Sequence, residues 1–532
     1  MTGSRRGWDL LRSALTELGF AQRSRRGRSK EPSEGSWLIV ALAFCFGALL
    51  FERITPQGFF DPDGFHEMAL FREWLWTGTM PHVDTFAFTP TVAPAVHHEW
   101  GAGAVLYLLS TKLGAGGVMA ARWLISTAVV VVAVRTAARR ASATVVAFCA
   151  GPAALLAAMA FTTIRAGLYT MLLLAVVLGT IDADREHPRR GRFLLVWLPV
   201  AVLWINLHGG WIIGAIAVAL HAGEQALRRR PWWHLAAGVV AVPGLMGLTP
   251  YGRDYFAGWW RSITFPRHMI AEWAPLVHSA YALGLAAFGL AVLLLLYAVV
   301  RRGPRACPGL PFVLATAWAG WRHERHAALF AMAWFCAVPG WLATTPLGGL
   351  LDAAVARRRV ARVVAVAAVA AGVGLVAVAL PQHPFTLRVP AQASDLGVGP
   401  VVYPAGAAAY LARTGFRGRA VTTFMNGGFV IWKLYPAVRV SFDGRYEVAY
   451  PEEALYEDRT IHGARPGWQQ VLAGYAPDVV LVARDEPLAR VLPGATDLTR
   501  VYRDDAYEVW ARAGVALPPT DATGTPVQVV FP

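Results

Sequence analysis

Asp61 and Asp63 follow an apolar run, with Pro62 and Gly64 holding the stretch out of helix. A carboxylate at the edge of a low-dielectric region becomes more basic, which suits it to taking a proton from a hydroxyl group. The same two side chains are equally placed to cap a helix over 65–75, whose periodicity is that of a helix lying on a membrane surface. His97, His98 and Glu99 form a second polar cluster in the same loop; taken singly, each reads as a solvated interfacial residue. Arg165 stands between two apolar runs, as an anion contact or as a side chain snorkelling to lipid headgroups. Asn206 and His208 occupy a similar turn, where Gly209 and Gly210 permit an unusual backbone and His208 could donate to a phosphate. Glu272 and Trp273 lie in a longer loop, and Arg322, His323, Glu324, Arg325 and His326 form one continuous run. Arg matches phosphate through paired hydrogen bonds, so that run is the strongest bare signal for an anionic ligand.

These residues need elements to hold them, and composition names the class. Of 532 residues, 56% are apolar and 16% are charged, with a mean hydropathy of +0.42. Soluble domains carry about 45–50% apolar and about 25% charged residues. The chain therefore reads as an α-helical polytopic membrane protein, which excludes a soluble enzyme, a fibrous protein and a disordered chain. Apolar runs lie at 37–53, 118–135, 143–162, 166–181, 193–207, 210–227, 234–249, 279–300, 309–321, 326–345 and 360–380, giving about eleven spans. The stretch 100–113 is too short for a ~30 Å core at ~1.5 Å per residue. Laid flat on the outer surface, it leaves the clusters Arg135/Arg139/Arg140, Arg185/Arg189/Arg190/Arg192, Arg228/Arg229/Arg230, Arg301/Arg302/Arg305 and Arg357/Arg358/Arg359/Arg362 on the cytoplasmic side, as the positive-inside rule requires. The net charge of +15, from 49 Lys and Arg against 34 Asp and Glu, then records topology and not a nucleic-acid partner. Residues 1–36 are expected to be a basic cytoplasmic tail, with no signal-peptide pattern.

On this topology the segments 54–117, 163–166, 207–210, 250–278, 322–326 and everything after 381 face outward. They carry nearly all the unusual polar side chains, and ionisable residues gathered at one membrane face mark a functional site. After 380 the pattern changes to short apolar strands and amphipathic stretches, expected as a small external α/β domain over 384–516. Its strands are expected near 419–425, 438–443, 478–483 and 498–511, and 517–532 reads as a disordered tail. The 37–380 region shows no inverted repeat of the transporter kind. None of the four cysteines lies beyond residue 336, and no zinc-ligand spacing occurs.

Taken in order, the motifs resemble those of a large bacterial branch of the integral-membrane glycosyltransferases of the C superfold, distantly similar to protein O-mannosyltransferases and lipid A aminoarabinose transferases. The resemblance runs through the acidic pair, Gly78/Pro81/Asp84/Phe86/Thr89, His98/Glu99/Trp100, Arg165 and Trp204/Asn206/Leu207/His208/Gly209. It continues through Pro250/Tyr251/Gly252, Glu272/Trp273/Pro275 and Arg322/Arg325, then Gly427, Gly428, Ile431, Trp432, Asp443, Gly444 and Arg445 in the C-terminal part. Thr249, Ala166 and Met425-Asn426 depart from the branch's pattern.

The resemblance implies an inverting transfer of a hexose or pentose from a polyprenyl-phosphate sugar to a glycan, lipid or protein acceptor. It also implies a bacterial inner membrane, with the C-terminal domain in the periplasm. It casts Asp63 as the general base, with Asp61 as its substitute or as a positioner of the acceptor. Arg165, His208, Arg325 and Arg322 become contacts for the lipid phosphate, Glu272 orients the acceptor, and His98 and Glu99 line the substrate site. Members differ in metal use and no ligand spacing occurs here, so no cofactor is expected. Two other classes remain open at this level. A lipid or sugar transporter would gather polar groups near the midplane, and a non-catalytic assembly protein of cell-envelope glycan synthesis would tolerate loss of the acidic pair.

Overall fold

The structure is a computed structural model that describes residues 34–161, 165–186, 190–267, 270–279, 281–395 and 401–532. The basic tail expected over 1–36 lies outside the described residues, save its last three, which open the first helix, Glu34–Ile54.

Helices stand at each apolar run read from the sequence. Among the described residues, four are long and apolar enough to cross a membrane: Trp100–Ala138, Ala166–Glu186, Ala282–Arg302 and Arg358–Gln382. A fifth crossing is available if Glu324–Leu342 and Pro346–Ala356, bent by 79°, act together. Ala143–Ala157, Gly191–Leu207, Trp211–Leu227 and Trp233–Met246 are apolar but shorter. The chain is a multi-pass membrane protein, in which about eleven spans would require these shorter helices, Glu34–Ile54 and Leu310–Arg322 to cross as well.

The helix beginning at Trp100 continues to Ala138 but is broken at Gly114, whose φ of 64° and ψ of −163° suit only glycine. The break divides 100–113 from 115–138, close to the boundary between surface stretch and span in the sequence. The last membrane helix, Arg358–Ala379, packs along the first, where Gly372 leaves room for Phe44.

The first-loop helix is Pro62–Thr77, and local chemistry sets both ends. Asp61 is the N-cap and Pro62 the first residue, where a missing N–H costs nothing. Gly78 closes the helix in the left-handed region at φ 73° and donates to the Trp74 carbonyl at 2.8 Å. This helix is not a bare surface element: Phe65, His66, Glu67, Met68, Ala69 and Leu70 are all buried. The helix from Trp100 covers one side and the helix Gly427–Leu434 of the C-terminal domain covers another.

The C-terminal domain is α/β, with helices Ala405–Arg413, Glu452–His462 and Trp468–Tyr475 near the amphipathic stretches of the sequence. Its strands are β1 Gly418–Val421, β2 Val438–Val440, β3 Val479–Ala483, β4 Leu498–Arg503, β5 Tyr507–Arg512 and β6 Thr520–Asp521. Their order is β2-β1-β3-β5-β4-β6, parallel at β2/β1/β3 and antiparallel at β3/β5/β4. The segment 517–532, expected to be disordered, is instead packed. β6 pairs with β4, Phe531 meets Phe60 edge-on at 5.1 Å, and Lys433 Nζ donates to the Val530 and Pro532 carbonyls. Its Pro-rich composition hid these long-range contacts.

The first loop also extends the sheet. Ala87 bridges in parallel to Val440, the Phe88 N–H donates to the Val440 carbonyl, and the Val440 N–H donates to the Phe86 carbonyl, each bond 3.0 Å. Thr89 Oγ1 donates to the Ser441 carbonyl at 2.6 Å. The first loop and the C-terminal domain thus share backbone hydrogen bonds.

Candidate active site

Arg165 is the centre of the polar cluster. Its Nε lies 3.1 Å from Asp61 Oδ2, its Nη2 2.9 Å from Asp63 Oδ2 and its Nη1 3.6 Å from Glu272 Oε1. The same Glu272 oxygen lies 3.6 Å from Arg325 Nη1. Three carboxylates therefore share two guanidinium groups, across segments far apart in sequence.

Local structure explains each placement. Asp61 accepts from the Asp63 N–H at 3.1 Å, so it caps the helix and holds Arg165 at once. The capping reading holds for Asp61, while Asp63 turns its carboxylate to Arg165. Arg165 enters the helix Ala166–Glu186, with its carbonyl accepting from the Leu168 N–H. Glu272 lies in a single 3-10 turn, Ala271–Trp273. That turn is held by His323 Nδ1 on the Trp273 carbonyl at 2.6 Å and by the Glu324 N–H on the Ala274 carbonyl at 3.0 Å. The Trp273 ring takes the guanidinium groups of Arg267 and Arg325, at 4.7 and 4.9 Å from its centre. Arg322, by contrast, is exposed, and among the described residues no ion pair joins it to the cluster.

Charge is unevenly distributed. Burial pushes the Asp61 carboxyl up to about 6, outweighing the opposing pull of Arg165. The Asp61 charge, followed by those of Asp63 and Glu272, holds Arg165 firmly in its charged form. Two guanidinium groups do not fully compensate three carboxylates, and Asp61 is the most enclosed of the three.

A second constellation stands behind the first. His208 Nε2 lies 3.1 Å from Glu99 Oε1, and His98 Nε2 lies 3.6 Å from the same oxygen. His208 Nδ1 accepts from the Gly210 N–H at 3.0 Å and contacts Thr170 Oγ1 at 2.6 Å; Thr170 Oγ1 in turn accepts from Trp204 Nε1 at 2.8 Å. An N–H aimed at Nδ1 requires that nitrogen to be bare, so the ring proton sits on Nε2 and points to Glu99. The single N–H of His208, expected to serve a phosphate, is therefore committed to Glu99. Burial, then the charge of Glu99, raises the Glu67 carboxyl well above the usual range. Burial disfavours charge on Glu99 as well, but the bonds from His208 and Glu67 hold its carboxyl well below the usual range.

Asp61, Asp63, Arg165, Glu272 and Arg325 come together; Glu99, His98 and His208 form the adjoining group; Arg322 stands apart. Glu67 and Thr170 were missed. Glu67 follows Asp63 by four residues, which puts both on one helical face, a spacing readable in principle. Thr170 lies in an apolar run and gave no signal. Among the described residues, no group of three or more His, Cys, Asp or Glu side chains is gathered as a metal site requires.

The fold has solved counterparts. The archaeal oligosaccharyltransferase AglB from Archaeoglobus fulgidus, in complex with an inhibitory peptide and a dolichol-phosphate, superposes with a TM-score of 0.58 at 10% identity, over 84% of this chain and 69% of that one. The chain has the fold of the C superfold of membrane glycosyltransferases. ArnT from Cupriavidus metallidurans bound to undecaprenyl phosphate is also similar, with a TM-score of 0.49 at 18% identity over 91% of this chain and 98% of that one. No protein-family model and no curated protein matches the sequence. In this C superfold chain, the first loop and the C-terminal sheet domain are joined by the isolated β-bridge from Ala87 to Val440.

Proposed function

We propose that this chain is an inverting glycosyltransferase that moves a sugar from a polyprenyl-phosphate donor to an acceptor hydroxyl at the outer face of a bacterial inner membrane. The observation that carries the reading is Arg165 held between Asp61, Asp63 and Glu272, with Arg325 on the far side of Glu272. A base and phosphate-binding cations have to line one site for such a transfer, on opposite sides of the anomeric carbon, and here they belong to one cluster. The dolichol-phosphate bound to AglB adds support for a lipid-phosphate donor.

In this mechanism Asp63 takes the acceptor hydroxyl proton as the oxygen attacks the anomeric carbon from the face opposite the phosphate. The bond from that carbon to the phosphate oxygen breaks, and its electron pair leaves on the polyprenyl phosphate. Arg165 and Arg325 stabilise the departing charge, a role worth most where water is partly excluded. Asp61 anchors Arg165, Glu272 ties the two guanidinium groups together, and His208 orients Glu99 at the acceptor side. In the same proposal residues 1–36 are a basic cytoplasmic tail, 37–380 the membrane unit and the α/β domain from 384 periplasmic.

The test uses purified protein in lipid nanodiscs with polyprenyl-phosphate sugars, following release of polyprenyl phosphate and the anomeric configuration of the product. Release that persists at full rate in the Asp61→Asn, Asp63→Asn double variant removes the mechanism. Movement of the lipid across vesicles without release would favour a transporter.

A further inference from the structure

We propose that the turn Asp443-Gly444-Arg445 of the C-terminal domain positions the Asp63 carboxylate, so that this domain completes the candidate active site; the inference rests on the function proposed above.

Gly444 carries the contact. A Cβ at this position would stand 2.8 Å from Asp63 Oδ1 and 3.3 Å from His66 Cε1. Gly444 is not among the residues with positive φ, so its backbone does not demand glycine. The neighbour is what it would disturb: a Cβ here presses on the Asp63 carboxylate, which has to shift to admit it. Gly428 makes a matching approach on the same helix, where a Cβ would stand 3.1 Å from the Pro62 carbonyl and 3.4 Å from His66 Nδ1. Two glycines of the C-terminal domain thus seat against the first turn of the helix Pro62–Thr77.

The turn is stiff, whereas an Asp side chain is not. Asp443 Oδ1 accepts from the Arg445 backbone N–H at 2.9 Å and from its Nε at 2.8 Å. Asp443 Oδ2 accepts from Arg445 Nη2 at 2.7 Å and from the Tyr450 hydroxyl at 2.6 Å. Arg445 Nη1 reaches across to Asp84 of the first loop, and Asp84 Oδ1 accepts from the N–H groups of Phe86 and Ala87. Asp443 and Arg445 are both buried, so the turn is locked from both sides. Arg165 holds one Asp63 oxygen and the turn abuts the other, which fixes the plane of the carboxylate. A base misplaced by about 1 Å costs up to about 100-fold in rate, so the turn acts on turnover and not on donor affinity.

The experiment compares Gly444→Ala with Gly474→Ala, a control whose added methyl meets nothing within 4 Å. Gly444→Ala is expected to lower kcat by about 10- to 100-fold, with donor KM within about twofold and thermal unfolding unchanged. Full kcat in Gly444→Ala, with Asp63→Asn inactive, overturns the inference and leaves the proposed function standing. An activity-independent arm uses the Asp63→Cys, Gly444→Cys double variant, oxidised in membrane vesicles, with mass spectrometry of the joined peptides. A 63–444 disulfide is expected, and its absence overturns the inference even where Gly444→Ala fails to fold. If the wild type releases no polyprenyl phosphate, the functional reading fails by itself, and the cross-link still decides the contact.

Discussion

Arg165 Nη2 lies 2.9 Å from Asp63 Oδ2, so the proposed base and the leading phosphate contact neutralise one another before substrate arrives. An anionic lipid phosphate would draw the guanidinium away, freeing the carboxylate at the moment a base is required. Asp63→Asn is expected to cut turnover by about 10²–10⁴-fold, the usual worth of general-base catalysis, while leaving donor binding nearly intact. Arg165→Ala should raise the donor Kd and slow transfer together, because the same cation serves bound donor and leaving group. Single-turnover rates and donor titrations on the two variants separate these effects.

The Asp61 carboxyl, raised to about 6 by burial, gives donor binding a pH dependence. Above about 6 it is ionised and competes with the donor phosphate for Arg165; below, it is neutral and competes less. Donor affinity should therefore rise as pH falls through about 6, by roughly fivefold for an interaction of about 1 kcal/mol. Asp61→Asn should remove that dependence. The stability sign is the same: a carboxyl with a higher value folded than unfolded destabilises fully above about 6, and the effect disappears as pH falls below about 4. Donor titrations and thermal unfolding between pH 4.5 and 7.5, on both proteins, check both statements.

Arg325 and Arg322 are three residues apart, yet only Arg325 reaches Glu272. Arg325→Ala should raise the donor KM several-fold, whereas Arg322→Ala should leave it within about twofold. Equal effects from the two substitutions would show that the turn acts only as a diffuse positive charge.

Arg445 lies buried between Asp443 and Asp84. Removing one partner of a buried ion pair leaves an uncompensated charge, at a cost of about 3–5 kcal/mol. Arg445→Ala should lower the thermal midpoint markedly. Arg439→Ala, at a residue of the same domain that faces solvent from β2, should not.

Topology has its own check. Glu453 is exposed in the C-terminal domain, and Arg229 is exposed in the Arg228–Arg230 cluster. A Cys at 453 should react with an impermeant thiol reagent added outside intact cells, and a Cys at 229 should react only after permeabilisation.

Composition and periodicity were enough to establish a helical membrane protein with an α/β domain after residue 380. Apolar runs declare their own burial, and the strands near 438–443 and 478–483 are short apolar runs that form β2 and β3. Asp61, Asp63, Arg165, Glu272 and Arg325 were legible because a charge beside an apolar run is costly enough to stand out. The pairing was not legible: Arg165 is 102 residues from Asp63, and no local pattern carries a contact at that separation. Nor could the sequence show that Glu67 and Glu99 push one another's carboxyls in opposite directions, since that depends on both being enclosed together. The tertiary structure alone decided that a Cβ at Gly444 would crowd Asp63 and that 86–88 joins β2. Strand pairing and glycine contacts across some 350 residues arise from the packed whole, whereas hydrophobic periodicity is a property of each segment by itself.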